Sequence, residues 1–244
     1  MPQESGLGEQ ALNKMAEMAL SSQMEEADNL QVQVKIDPSN LAKGEVDSLT
    51  ISGEGLVMQP DLRMSELEMQ INTIAVKPLK ALFGKIEMVK PTDGTARVVL
   101  TAEDLDRAFN SPATIDHLRQ VVVQIDGAPV KIATIKIACH LLSDKISLQT
   151  EVVSDTGTAW QVAFASTPRV STDGQGVVLE DIQYSEGKEV SPELISALVE
   201  RANEILNLRN FEMEGISLHI QQLQVEADKL TLQAEALVTQ FLAS

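Results

Sequence analysis

Aromatic side chains are scarce: Phe, Trp and Tyr together make 3% of the 244 residues, with one Trp and one Tyr. Surfaces that stack sugar rings or unpaired bases need more of them. Cysteine occurs once, at Cys139, so no internal disulfide forms and a reducing compartment fits. Histidine occurs three times, at His117, His140 and His219, with none at metal-ligand spacing from another or from the cysteine. Cys139 and His140 are adjacent in a strand pattern, which sends their side chains to opposite faces and makes the thiol a buried, inert one. Basic residues are the minority sign: 19 Lys+Arg face 36 Asp+Glu, a net charge of −17. An anionic surface has no counterions to release from nucleic acid and is repelled by anionic lipid at long range. No apolar run approaches the roughly 18 residues of a membrane span. The opening "MPQESGLGEQALNKMAEMAL" lacks the basic start and unbroken apolar stretch of a signal peptide. The expectation is a soluble protein without nucleic-acid partners.

Catalytic patterns are missing too. The chain has no G-x-S-x-G elbow, no P-loop and no G-x-G-x-x-G; "GEG" at 53–55 lacks the third glycine, and "GQG" at 174–176 reads as a hairpin turn. Acidic pairs such as Glu25-Glu26 and Glu103-Asp104 read as solvated faces or helix starts at this charge. The sequence points away from an enzyme, and it calls for no metal and no cofactor.

What is present is aliphatic and periodic. Residues 8–24 read as a helix with Leu12, Met15, Ala16 and Ala19 on one face. "LQVQVKI" alternates as a strand, and so do "VKIATIKIACHLL", "DKISLQTEVV", "WQVAFAS", "GVVLEDIQY" and "ISLHIQQLQVEA". In "LRMSELEMQINTIAV", Leu67, Met69 and Ile71 alternate while Met64 and Ile74 fall on the opposite parity, which predicts bulges or curvature. Thr101 and Asp104 form a capping pair that starts a short helix to about Phe109, and a second spans about 113–120. Ser191-Pro192 opens the best helix, with Leu194, Leu198, Ala202 and Ile205 in one stripe, widened by Ile195, Val199 and Leu206.

"VDSLTISGEGLV" (46–57) returns as "ADKLTLQAEALV" (227–238), with half the positions identical, and more loosely as "SDKISLQTEVVS" (143–154). The interval from Asp47 to Asp228 carries helix 191–206 onto 10–25, and the interval from Asp144 to Asp228 carries 113–120 onto 197–204. Two readings stand: true helix–hairpin repetition over about 8–57, 101–154 and 191–239, or similarity by chance among units built from few residue types. Repetition places Asp47, Asp144 and Asp228 at turns, where Asp is favoured, and Leu49, Ile146 and Leu230 on equivalent faces. The fold class expected is α+β: a long curved antiparallel sheet, barrel-like, wrapped around amphipathic helices in one domain, 1–244.

Two features bear on function. Met is flexible and suits irregular apolar spaces. Met15, Met18, Met58, Met64 and Met69, with Leu194, Leu198 and Ile205, are either ordinary core or the lining of a tube that accommodates lipid. "VKPLKALFGKIEMVK" (76–90) gathers Lys77, Lys80, Lys85 and Lys90 around Leu79, Leu82 and Phe83, against one acid, Glu87. This turn is either a plug at one end of the sheet or a site that touches a membrane surface or lipid headgroup.

The phrases "LGEQALNKMAEMAL", "VDSLTISGEGLVMQPDLRM", "PLKALFGKIEM", "FNS" and "LRNFEMEGISLHIQQLQVEADKLTLQAEALV" are similar to cyanobacterial members of the LmeA-like phospholipid-binding family. The resemblance implies a tubular, TULIP-like sheet around a central helix and phospholipid held in an apolar cavity. Better-studied relatives of that family act at the cell envelope and carry an export signal; since none is read in this sequence, the location expected is cytoplasmic or peripheral to a membrane, thylakoid or plasma, with transient membrane contact through the basic turn. Its motifs carry no catalytic residues. The competing reading is a structural or assembly factor that docks a protein partner through its acidic surface.

Overall fold

The computed structural model describes residues 7–41, 43–59, 62–77, 88–125, 128–184, 192–211 and 215–240. Among these residues, period-2 alternation builds eleven strands in two antiparallel sheets. The larger sheet has β1 (Asn29–Lys35), β2 (Glu45–Gln59), β3 (Leu62–Ala75), β4 (Thr92–Thr101), β10 (Ile216–Glu226) and β11 (Lys229–Val238), in the order β1-β2-β3-β4-β11-β10. The smaller has β5 (Val122–Ile125), β6 (Ala128–Leu142), β7 (Lys145–Ser154), β8 (Ala159–Val170) and β9 (Val177–Tyr184), in chain order. Among the described residues the helices are α1 (Leu7–Ser21), α2 (Pro38–Leu41), α3 (Ala102–Phe109), α4 (Pro112–Arg119) and α5 (Pro192–Ile205). The α+β class holds, but the strands form two open sheets, and among the described residues no pairing closes either into a barrel.

Alternation puts one side of each strand inside. Leu67, Met69 and Ile71 are buried, and so are Met64 and Ile74, which lie out of phase with them. The phase slip at Met64 does not come from a bulge. The β2–β3 register runs on from Glu45↔Ala75 to Val57↔Arg63, and shifts only between Val57 and Gln59. The partner strand bends instead at Gly55, whose φ of +60° is open to glycine at little cost. A side chain there would collide with the Asp28 carboxylate and the Arg63 guanidinium.

Asp144 and Asp228 occupy the β6–β7 and β10–β11 turns with φ of 59° and 70°. Asp47 does not sit at a turn: it lies inside β2, paired in the ladder between Val46↔Ile74 and Ser48↔Asn72. Its carboxylate accepts from Asp37 N at 2.6 Å and Asn40 Nδ2 at 2.7 Å, which ties the β1–β2 connection down. Leu49, Ile146 and Leu230 are all buried in the core.

Sheet edges carry unpaired backbone N–H groups, and this protein satisfies several of them with helix side chains. On the β1 edge, Val34 N donates to Asn13 Oδ1 at 2.8 Å and Val32 N to Glu17 Oε1 at 3.4 Å, both from α1. Where β5 leaves β6 uncovered, Ile137 N donates to Asn110 Oδ1 and Cys139 N to Asp106 Oδ1, at the end of α3. On β9, Leu179 N donates to Asn203 Oδ1 of α5 at 3.0 Å, and Val177 N to Leu206 O. The β10 edge meets the turns of the smaller sheet: Asp144 N donates to Val225 O, and Ile220 N to Gly174 O.

Helix α5 packs on both β5 and β9, the two edges of the smaller sheet, and against α3 and α4. Its stripe of Leu194, Leu198, Ala202 and Ile205 is buried, as are Ile195 and Leu206. One continuous apolar cluster joins this stripe to both sheets.

Candidate lipid-binding site

The strands and α5 enclose side chains of one kind. Ile135, Ile137, Cys139 and Leu141 of β6 face inward with Ile146, Leu148 and Val152 of β7 and Val162 and Phe164 of β8. Among them Thr150 is 2% exposed, and its Oγ1 has no hydrogen-bond partner. Burial and the nearby Asp106 carboxylate push the Cys139 thiol up to about 12, so it stays protonated and inert at neutral pH.

The start of α3 is fixed by a polar network. Thr101 Oγ1 accepts from Asp104 N at 3.2 Å, and Asp104 Oδ2 accepts from Thr101 N at 2.8 Å, the reciprocal bonding that the sequence predicts. The same carboxylate, 3% exposed as a residue, accepts from Arg63 Nη1 and Ser65 Oγ, both at 2.6 Å. Arg63 also reaches Asp28 Oδ2 at 3.1 Å, which links the β1 approach to the α3 cap.

Where α5 ends, a depression of about 510 Å³ opens between α3, α4 and the turn Leu208–Phe211. Its walls are apolar at Leu62, Ala108 and Ile205 and polar at Ser111, Arg201 and Arg209. Arg201 Nε donates to Thr114 Oγ1 at 3.0 Å and Nη1 to Glu204 Oε2 at 2.6 Å. The Arg209 side chain makes no ion pair among the described residues. Its charge adds to the pull that the Ser171 hydroxyl and Gln175 N–H exert on Asp173, whose carboxyl lies below its ordinary range.

The sequence-predicted residues divide. Met64, Met69, Leu194, Leu198 and Ile205 lie in the buried cluster, with Leu198 at 0% exposure, and Met58 packs partly buried against it. Met15 and Met18 do not: they are 46% and 59% exposed on the solvent side of α1, because α1 turns its polar Asn13 and Glu17 to the β1 edge. Lys77 and Lys90 are exposed beside the Val76–Met88 bridge. Leu79, Lys80, Leu82, Phe83 and Lys85 lie outside the described residues. Sequence reasoning missed Arg201, Arg209 and Thr150. Only the two arginines left a trace, as cations near the end of the best helix in an acidic chain.

Two open antiparallel sheets, helices laid on their edges and an aliphatic interior define an α+β protein built around apolar side chains. Among the described residues no group of three or more His, Cys, Asp or Glu is arranged to hold a metal ion. The chain belongs to the LmeA-like phospholipid-binding family, whose model matches residues 4–235. No curated protein and no solved structure matches it. Among the described residues no helix is long and apolar enough to cross a membrane.

Proposed function

We propose that the protein binds phospholipid, with the acyl chains among the aliphatic side chains between α5 and the smaller sheet, and performs no reaction on it. The observation that carries this reading is the placement of α5, which spans both edges of that sheet and turns six buried apolar residues inward. A seam between a helix and a sheet opens without breaking a strand ladder. At this one, Val177 N and Leu179 N are the backbone donors bonded to α5 and its end. The side chains that would meet an acyl chain are Leu, Ile, Val and Met, and Met adapts most readily to a new shape. Moving an acyl chain from a bilayer into such an interior changes its surroundings little, so packing and headgroup contacts decide the balance. Transient membrane contact through the basic turn at 76–90 belongs to the same reading.

The test uses gently purified protein. Native mass spectrometry is expected to show adducts of phospholipid mass. After delipidation, short-chain phospholipid added below its micelle concentration is expected to change the emission of Trp160, the single tryptophan, half-buried against the core. A bare polypeptide mass before and after lipid addition, with unchanged emission, overturns the reading.

A further inference from the structure

We propose that the depression at the C-terminal end of α5 receives the phosphodiester of the bound lipid's headgroup, with Arg209 as its principal cation. This rests on the lipid-binding reading and assigns it a polar end. The depression is amphipathic in the required sense: Leu62, Ala108 and Ile205 line it together with Ser111, Arg201 and Arg209. Ile205 and Ala108 also belong to the buried apolar cluster, so the depression adjoins the α5 seam. A lipid with its chains along α5 would place its headgroup at one end of that helix, and the C-terminal end carries Arg201 and Arg209.

The two guanidinium groups differ in what they can still do. Arg201 already donates to Thr114 and to Glu204, which holds it flat against the wall. Among the described residues Arg209 has no side-chain hydrogen bond or ion pair, in a chain whose acids outnumber its bases 36 to 19. A planar fork with open donors suits a phosphate oxygen pair better than a point charge does. Carboxylates stand close to both cations: Glu204 is bonded to Arg201, and Asp173 feels the charge of Arg209. The local charge is therefore near balance, which favours a singly charged phosphodiester over a doubly charged phosphomonoester. In a headgroup with an ammonium group, the same carboxylates would face the positive end.

The experiment compares delipidated wild type with Arg209→Gln, and with Arg97→Gln as a control on the larger sheet, using Trp160 emission and competition by unlabelled lipid. The probes are dihexanoyl phosphatidylcholine, the matching phosphatidate, the matching diacylglycerol, and glycerophosphocholine without acyl chains. The expected result is that phosphatidylcholine binds wild type about tenfold more tightly than diacylglycerol does, the gain ordinary for charge-assisted hydrogen bonds. Phosphatidate is expected to gain less. Arg209→Gln should bring phosphatidylcholine down to the level of diacylglycerol, and Arg97→Gln should change nothing. If wild type binds both lipids equally, or if Arg209→Gln keeps the preference, the headgroup assignment falls while lipid binding stands. Glycerophosphocholine binding as tightly as the lipid would make the depression a site for soluble phosphate esters and overturn the headgroup assignment. Failure of every acylated probe on wild type removes the lipid reading and this assignment with it.

Discussion

Single side chains show where polar chemistry enters this aliphatic interior. Thr150 holds a hydroxyl in the core without a partner, which costs about 1–3 kcal/mol relative to a satisfied or apolar group. Thr150→Val keeps the shape and removes that cost, so the protein should gain about 1 kcal/mol in urea unfolding; a loss would mean that the hydroxyl has a partner in solution. Asp104 is the opposite case, a buried carboxylate that Arg63, Ser65 and Thr101 all serve. Asp104→Ala removes the carboxylate half of the α3 capping box and leaves the partly exposed Arg63 with Asp28 as its ion-pair partner, so the expected loss is about 3 kcal/mol, read from the same urea curves. Cys139 has its ionisation pushed up to about 12 by burial and by Asp106. The neutral thiol is the form that the fold favours. This contribution to stability is fully present below the ordinary thiol range and is lost as pH rises through it towards about 12. At pH 8 an aromatic disulfide reagent should leave native protein unlabelled and label it at once in denaturant; rapid native labelling would contradict the burial.

At the scale of elements, helices close open strand edges. In α1 and α3 the accepting side chains stand four residues apart, Asn13 with Glu17 and Asp106 with Asn110, and they receive N–H groups two residues apart on a strand. One helical turn advances roughly 5.4 Å and two strand residues about 6.8 Å, near enough for both bonds to form. This arrangement explains why Met15 and Met18 are exposed: the face of α1 that docks carries Asn13 and Glu17 towards the β1 edge together with Ala16 and Leu20 against the core. Replacing Asn13 and Glu17 by Ala together should speed amide exchange at Val32 and Val34 in mass-resolved hydrogen exchange. It should also raise self-association in light scattering, because an open edge pairs with another. Unchanged protection at those two amides would show that α1 holds the edge through other contacts. The helices themselves were legible from apolar spacing and caps. The role of their Asn and Asp residues was not, since a solvated amide and an edge-capping amide look alike in a linear chain.

At the scale of the whole molecule, charge decides how the protein meets a membrane. A net charge of −17 repels anionic bilayers beyond a Debye length, so contact has to come from a local basic feature. In the proposed membrane contact, Lys77, Lys80, Lys85 and Lys90 would supply about 1 kcal/mol each near an anionic surface, about 4 kcal/mol in all, enough for reversible docking and short of stable anchoring. Wild type should cosediment with vesicles containing phosphatidylglycerol and release as salt rises. The variant with all four Lys changed to Gln should stay in the supernatant at an unchanged melting temperature. Equal sedimentation of the two would move membrane contact elsewhere on the surface.

Local information in the chain was enough for the α+β class, for most strands, for the Thr101–Asp104 cap and for the buried stripe of α5, because periodicity and capping act over a few residues. It also carried the family likeness, since that is written in sequence phrases. The division into two open sheets was beyond it: alternation tells which side of a strand is buried, and says nothing of which strand lies alongside. Asp47 shows the limit. Its sequence neighbours match those of two turn residues, yet the nine residues of the preceding connection move the turn upstream and leave it in a ladder. The meeting of Leu62, Ala108, Arg201 and Arg209 in one depression likewise depends on long-range packing, where β3, α3 and α5 converge, and only the folded chain brings those residues within reach of one ligand.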